Sequence, residues 1–154
     1  MWRLIAALEL APHDRGALKV TTTRDFDRSI GSLADVFVFL DESLGVREVD
    51  ERSRLVLHLA VEELFTNMVK YNANSARRIG VCVRSDNDRV RVELVDPDSE
   101  PFDPTALGPV DTTRPIEQRK RGGLGIHLVR TMADGIDYQY EGREMTISVT
   151  KNLE

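Results

Sequence analysis

From Asp50 to Tyr71 the chain reads as one helix that is apolar on most of its sides, and that helix dictates what must surround it. Leu57, Val61, Leu64 and Met68 form one stripe at helical spacing, and Leu55, Val56, Leu59 and Ala60 widen it. Such a helix is stable only when enclosed, so the rest of the chain has to supply a sheet and further helices to cover it. Asp50 is placed to cap its first turn, and Asn72-Ala73-Asn74-Ser75 supplies turn chemistry at its end. Against this background Glu63 and Asn67 stand out. They are one turn apart on the same face, where both could reach one ligand. A carboxylate and an amide among apolar neighbours are costly unless they meet a partner. That partner is either each other, in a hydrogen-bonded core pair, or a metal or ligand.

The flanking segments provide the covering layer. Leu18-Lys19-Val20-Thr21-Thr22-Thr23 predicts a strand, preceded by a loosely held segment over residues 1–17. Ile30, Leu33, Phe37, Leu40 and Leu44 recur at helical spacing from Asp27 until Gly45, which predicts a first helix. Ile79 to Val83 and Val90 to Val95 alternate around Asp86-Asn87-Asp88 and predict a hairpin. A long proline-rich, charged loop follows from Asp96 to Arg121. Gly122-Gly123-Leu124-Gly125 then opens a short helix, and Ile136–Tyr140 with Met145–Thr150 closes the chain as a second hairpin about Glu141-Gly142-Arg143. Strands and helices do not alternate as in a doubly wound sheet, so the expected class is α+β, a two-layer sandwich in one domain over residues 1–154.

Composition narrows the function. A formal net charge of −5, with Arg119-Lys120-Arg121 as the one dense basic run, argues against a direct nucleic-acid binder. No run approaches the roughly 20 apolar residues that a membrane-spanning helix needs. The start from Met1 to Leu10 is too short and too acidic for a signal peptide, and the lone Cys82 lies in an apolar alternating stretch that predicts packing. Cytoplasmic localisation, without membrane attachment, is the expectation. The Walker phosphate loop and the nucleophile-elbow motif are both missing from the sequence.

The glycines at 122, 123 and 125 allow close backbone approach to an anion, and the helix behind them directs free N–H groups toward it. Taken by itself this is either a phosphate turn or an ordinary loop-to-helix junction. Three segments, however, occur in order: Glu63-Leu-Phe-Thr-Asn67, Asp96-Pro-Asp-Ser-Glu-Pro-Phe-Asp-Pro104 and Gly122-Gly-Leu-Gly-Ile-His-Leu-Val-Arg130. Together they resemble the N, G1 and G2 boxes of GHKL (Bergerat-fold) ATPases, and specifically the anti-sigma-factor serine/threonine kinases.

The resemblance implies a mixed, mostly antiparallel sheet covered on one face by helices, with residues 97–121 as an ATP lid. It implies ATP and Mg2+ as cofactors, Glu63 as the general base that deprotonates a substrate serine, and Asn67 as the magnesium ligand. Arg121, Gly122, Gly123, Leu124 and Gly125 then correspond to the phosphate-binding turn. The implied partners are an anti-anti-sigma (STAS-domain) protein as substrate, a sigma factor sequestered by partner switching, and a second copy in a homodimer. The family reads adenine with an Asp-x-Gly motif whose glycine this sequence lacks; an ungapped match puts the family's aspartate on Pro97 and its glycine on Ser99. Asp96, which directly ends a predicted strand, and Asp98 are the two candidates for the carboxylate, and a degenerate adenine pocket is the third reading. That departure motivates the alternative of a binding module of the same fold that captures a regulator without phosphoryl transfer.

Overall fold

The computed structural model describes residues 5–10, 18–45, 48–106, 113 and 123–153. Six strands, β1 (Ile5–Leu10), β2 (Leu18–Phe26), β3 (Ile79–Ser85), β4 (Arg89–Asp96), β5 (Gly135–Glu141) and β6 (Glu144–Asn152), form one sheet in the order β1-β2-β3-β4-β6-β5. Every neighbouring pair is antiparallel, so the sheet contains no parallel component among the described strands. Three helices, α1 (Leu33–Leu44), α2 (Glu51–Tyr71) and α3 (Gly123–Met132), complete the α+β two-layer architecture.

The layers meet through the alternation of the strands. Ile79, Val81 and Val83 of β3, Val90, Val92 and Leu94 of β4, and Met145, Ile147 and Val149 of β6 are buried in one cluster with the helices. β4 leads this face directly into Asp96, its last residue, which is also fully buried. The opposite face carries Arg84, Arg91, Glu93 and Asp137, joined by ion pairs along β4 and between strands.

α2 is the element that the covering layer encloses. Asp50 caps it by accepting from the Ser53 backbone N–H at 2.8 Å, and also takes the Ser53 hydroxyl at 2.7 Å. Val56, Leu57, Ala60, Val61, Leu64, Phe65 and Met68 are buried against β4, β6 and the neighbouring helices. Leu55, assigned to the apolar stripe from spacing, is instead 55% exposed, because the enclosure leaves one side of the helix open.

Two boundaries differ from the sequence reading. α1 begins at Leu33 rather than near Asp27, because β2 runs on to Phe26 and Ser29 caps a 3₁₀ turn over Ile30–Ser32. The buried set on α1 is accordingly Val36, Phe39, Leu40, Ser43 and Leu44, while Ile30 is exposed and Phe37 packs on the His58 ring. The first 17 residues, read as loosely held, contain β1, whose backbone pairs with β2 from Ile5↔Thr23 to Leu10↔Leu18. Pairing with an available strand edge organises a segment whose own alternation is weak. No helix among the described residues is long and apolar enough to cross a membrane.

Enclosure of α2 predicts an asymmetric response to truncation. Leu57→Ala, at a fully buried position, should lower stability by about 2–5 kcal/mol in urea unfolding. Leu55→Ala, on the open side, should change it by no more than about 0.5 kcal/mol.

Candidate functional site

α2 carries Glu63 and Asn67 to the boundary between core and surface. Asn67 is 9% exposed, and its Nδ2 donates to Glu63 Oε1 at 3.2 Å. Because the amide nitrogen is turned to the carboxylate, the amide oxygen remains as a hard donor for a cation. Glu63 is only half-buried, and burial pushes its carboxyl pKa above the usual range, with the Asn67 hydrogen bond opposing the shift.

The first turn of α3 closes on this pair from the other side. The Glu63 carboxyl lies against Gly125, in the space that a Cβ at residue 125 would fill. The glycine expected to make room for phosphate therefore makes room for the candidate base, a contact that local spacing does not reveal. Leu59, Glu62, Thr66, Lys70 and Leu128 border a surface groove of about 360 Å³ that has Glu63 and Gly125 in its wall. Gly123 and Leu124 begin α3, whereas Arg121 and Gly122 lie outside the described residues, as does most of the loop assigned as a lid.

A second polar cluster gathers around Asp96. Its Oδ1 accepts from Arg28 Nη2 and from Asn72 Nδ2, the latter at 3.3 Å. Arg28 also donates to the Met68 carbonyl at 3.1 Å and the Arg77 carbonyl at 3.2 Å, which ties the end of β2 to the C-terminal turn of α2 and the start of β3. Met68 follows Asn67 directly, so the two clusters share one turn of α2. Asp96 Oδ2 is buried with no hydrogen-bond partner among the described residues, and the same holds for Ser99 Oγ. A buried acceptor or donor left in this state costs about 1–3 kcal/mol, which a suitable ligand group would relieve.

Asp98, the other candidate, faces elsewhere. It adopts φ 55°, and its exposed carboxylate accepts from Arg143 at 2.9 Å in the turn between β5 and β6. Asn72 Nδ2 reaches its backbone carbonyl at 3.0 Å. Arg28, Asn72 and Ser99 were not singled out from the sequence, since each belongs to the site through tertiary contacts and none sits in a local motif. The one available signal was positional: Ser99 occupies the place of the family's glycine.

The donor set suits a magnesium–nucleotide pair. Among the described residues no three His, Cys, Asp or Glu side chains gather into a self-sufficient metal site. A cation held by the Asn67 amide oxygen would need most of its ligands from phosphate and water, which is the usual habit of Mg2+. Asp96 Oδ2 offers a buried acceptor for an amino group, and the first turn of α3 offers backbone N–H groups to an anion.

Gly125→Ala isolates the contact between α3 and Glu63. The new methyl group displaces the tip of a flexible side chain, while alanine favours the helix by about 1 kcal/mol over glycine. The melting temperature should stay level or rise, and nucleotide-dependent activity should fall at least about tenfold as Glu63 leaves its place beside Asn67.

Comparisons with known proteins identify the family and the fold. The histidine kinase-like ATPase domain matches residues 27–151. The serine-protein kinase RsbW of Halalkalibacterium halodurans is 30% identical over 102 residues, an overlap of 64% of this chain and 62% of that protein. RsbW of Bacillus velezensis is 34% identical over 102 residues, covering 63% of each. The chain thus spans less than two thirds of the length of these relatives. Among solved structures, the RsbU and RsbW domains of Rv1364c from Mycobacterium tuberculosis superpose with a TM-score of 0.63 at 15% identity, over 86% of this chain and 32% of that one, a likeness of fold. The chain belongs to the histidine kinase-like ATPase domain family.

Proposed function

We propose that the chain is an anti-sigma-factor serine/threonine protein kinase that binds Mg-ATP, phosphorylates an anti-anti-sigma (STAS-domain) protein and holds a sigma factor in the alternate complex. The observation that carries this reading is the half-buried Glu63, whose raised pKa and contact with Asn67 suit a base at the mouth of a groove. The similarity to RsbW serine-protein kinases supports the choice of a protein hydroxyl as acceptor.

Bound Mg-ATP would supply the γ-phosphoryl group and the positive charge that screens its oxygens. Glu63 accepts the proton of the serine hydroxyl as that oxygen bonds to phosphorus, and ADP departs when the bridging bond breaks. Asn67 orients Glu63 through its amide nitrogen, and its amide oxygen would hold the cation when one is bound. Asp96 receives the adenine amino group at Oδ2, and backbone N–H groups at the start of α3 face the phosphates. The groove bordered by Leu59, Glu62, Thr66, Lys70 and Leu128 gives the acceptor loop a route to Glu63.

Purified protein incubated with labelled ATP, magnesium and a STAS-domain protein from the same organism should transfer label to that protein. Glu63→Gln and Asn67→Ala should each lower transfer by roughly 100-fold or more. Nucleotide binding without any transfer by the wild type would replace the kinase with a capture module.

The raised pKa of Glu63 gives two linked pH effects. Its folded form holds the proton more tightly than the unfolded chain, so the associated stability is present below the unfolded pKa and is lost as pH rises through the folded one. Above its folded pKa the ionised Glu63 is therefore a burden on the fold, and Glu63→Gln should not lower the melting temperature there. The rate of transfer should rise with pH along an acid limb displaced above the ordinary glutamate range of about 4.3.

A further inference from the structure

We infer that Arg28 is the positioning residue of the adenine pocket, selecting which oxygen of Asp96 meets the base. The inference rests on the kinase reading only for the nature of the ligand, a purine with an exocyclic amino group. Its own support is the uneven partnering of one carboxylate. Both donors that reach Asp96 among the described residues, Arg28 Nη2 and Asn72 Nδ2, converge on Oδ1, and Oδ2 is left buried and unpartnered.

Arg28 can impose this asymmetry because it is itself held from three sides. Nε donates to the Arg77 carbonyl, Nη1 to the Met68 carbonyl and Nη2 to Asp96, and the Arg28 and Asp96 side chains are 5% and 0% exposed. A planar guanidinium bound at all three nitrogens cannot rotate to follow the carboxylate, so the carboxylate takes its orientation from the arginine. Lysine, with one nitrogen on a flexible stem, cannot reach the same three acceptors in a fixed plane.

The strand exit beyond Asp96 is held as well. In the matching families of motif, a glycine two residues beyond the aspartate lets the purine lie close. Two residues beyond Asp96 stands Asp98, at φ 55°, and the next residue, Ser99, has its backbone N–H on the Arg143 carbonyl at 2.8 Å and its carbonyl accepting from Tyr140 Oη at 2.7 Å. These bonds hold the strand exit in place from the β5–β6 side, as Arg28 holds it from the α2 side. The strand exit that carries Asp96 is thus fixed by tertiary clamps on both of its flanks.

The test compares ATP with purine riboside triphosphate, which carries hydrogen where adenine carries the amino group, by calorimetry on the full chain with magnesium. Wild type should prefer ATP by tenfold or more, since a site built to accept from an N–H rejects the analogue lacking it. Arg28→Lys should cut that preference to about twofold, through weaker ATP binding, with affinity for the analogue nearly unchanged. Arg28→Gln, which keeps a donor without the charge, runs beside it, so that a folding defect in one variant, judged by circular dichroism and melting, leaves the other to be read. Equal loss of both ligands would make Arg28 a structural tie and overturn the inference, as would a wild-type preference retained in a folded variant. Those results leave the kinase reading standing. Failure of the wild type to bind either nucleotide, or equal binding of both, overturns the inference together with the assignment of Asp96.

Discussion

The trapping of α2 between the sheet and α3 is the constraint on which the site depends. A helix with this many buried side chains has little freedom to turn or slide, because each would drag Leu57, Leu64 or Phe65 out of a filled volume. Glu63 and Asn67 inherit that rigidity. Their cost in desolvation is met by the hydrophobic burial of the same helix, and the incomplete coverage of Glu63 keeps its carboxyl half-open to the groove. Chemistry and packing are carried by alternate faces of one element.

α3 completes the arrangement with a short helix whose opening residues do two things at once. Its buried Ile126 and Val129 join the core and hold it beside α2, while Gly125 lets the acid of α2 come closer than any side chain would permit. The candidate base Glu63, the candidate cation donor Asn67 and the start of α3 are thereby brought together by two helices. The sheet contributes the candidate adenine acceptor, Asp96, at the end of β4.

Much of this was legible in the sequence, and for identifiable reasons. The cap at Asp50, the extent of α2, both hairpins and the glycine-led start of α3 all follow from periodicities and turn residues that act over a few positions. Glu63, Asn67 and Gly125 were visible as polar or small residues in apolar surroundings. The late start of α1 was not visible, since Asp27 and Ile30 fit a helical pattern equally well until β2 is seen to continue through Phe26. Arg28, Asn72 and Ser99 were not visible either, because what they do is defined by partners 24 to 68 positions distant in the chain or, for Ser99, by Tyr140 and Arg143. The choice between Asp96 and Asp98 required knowing which side of the strand end each carboxyl faces.

The ion pairs on the uncovered side of the sheet bear on that same choice. Arg91 and Glu93, the latter paired with Arg84 of β3, alternate with Val90, Val92 and Leu94 along β4, so a slip of β4 by one residue would drive charges into the core and lift three aliphatic side chains into water. It would also swing Asp96 from the inner face to the outer one. The charged ladder therefore acts as a spelling check on strand register: a misaligned sheet is rejected during folding by its far face, and every molecule that does fold presents its terminal aspartate on the side where α2 ends.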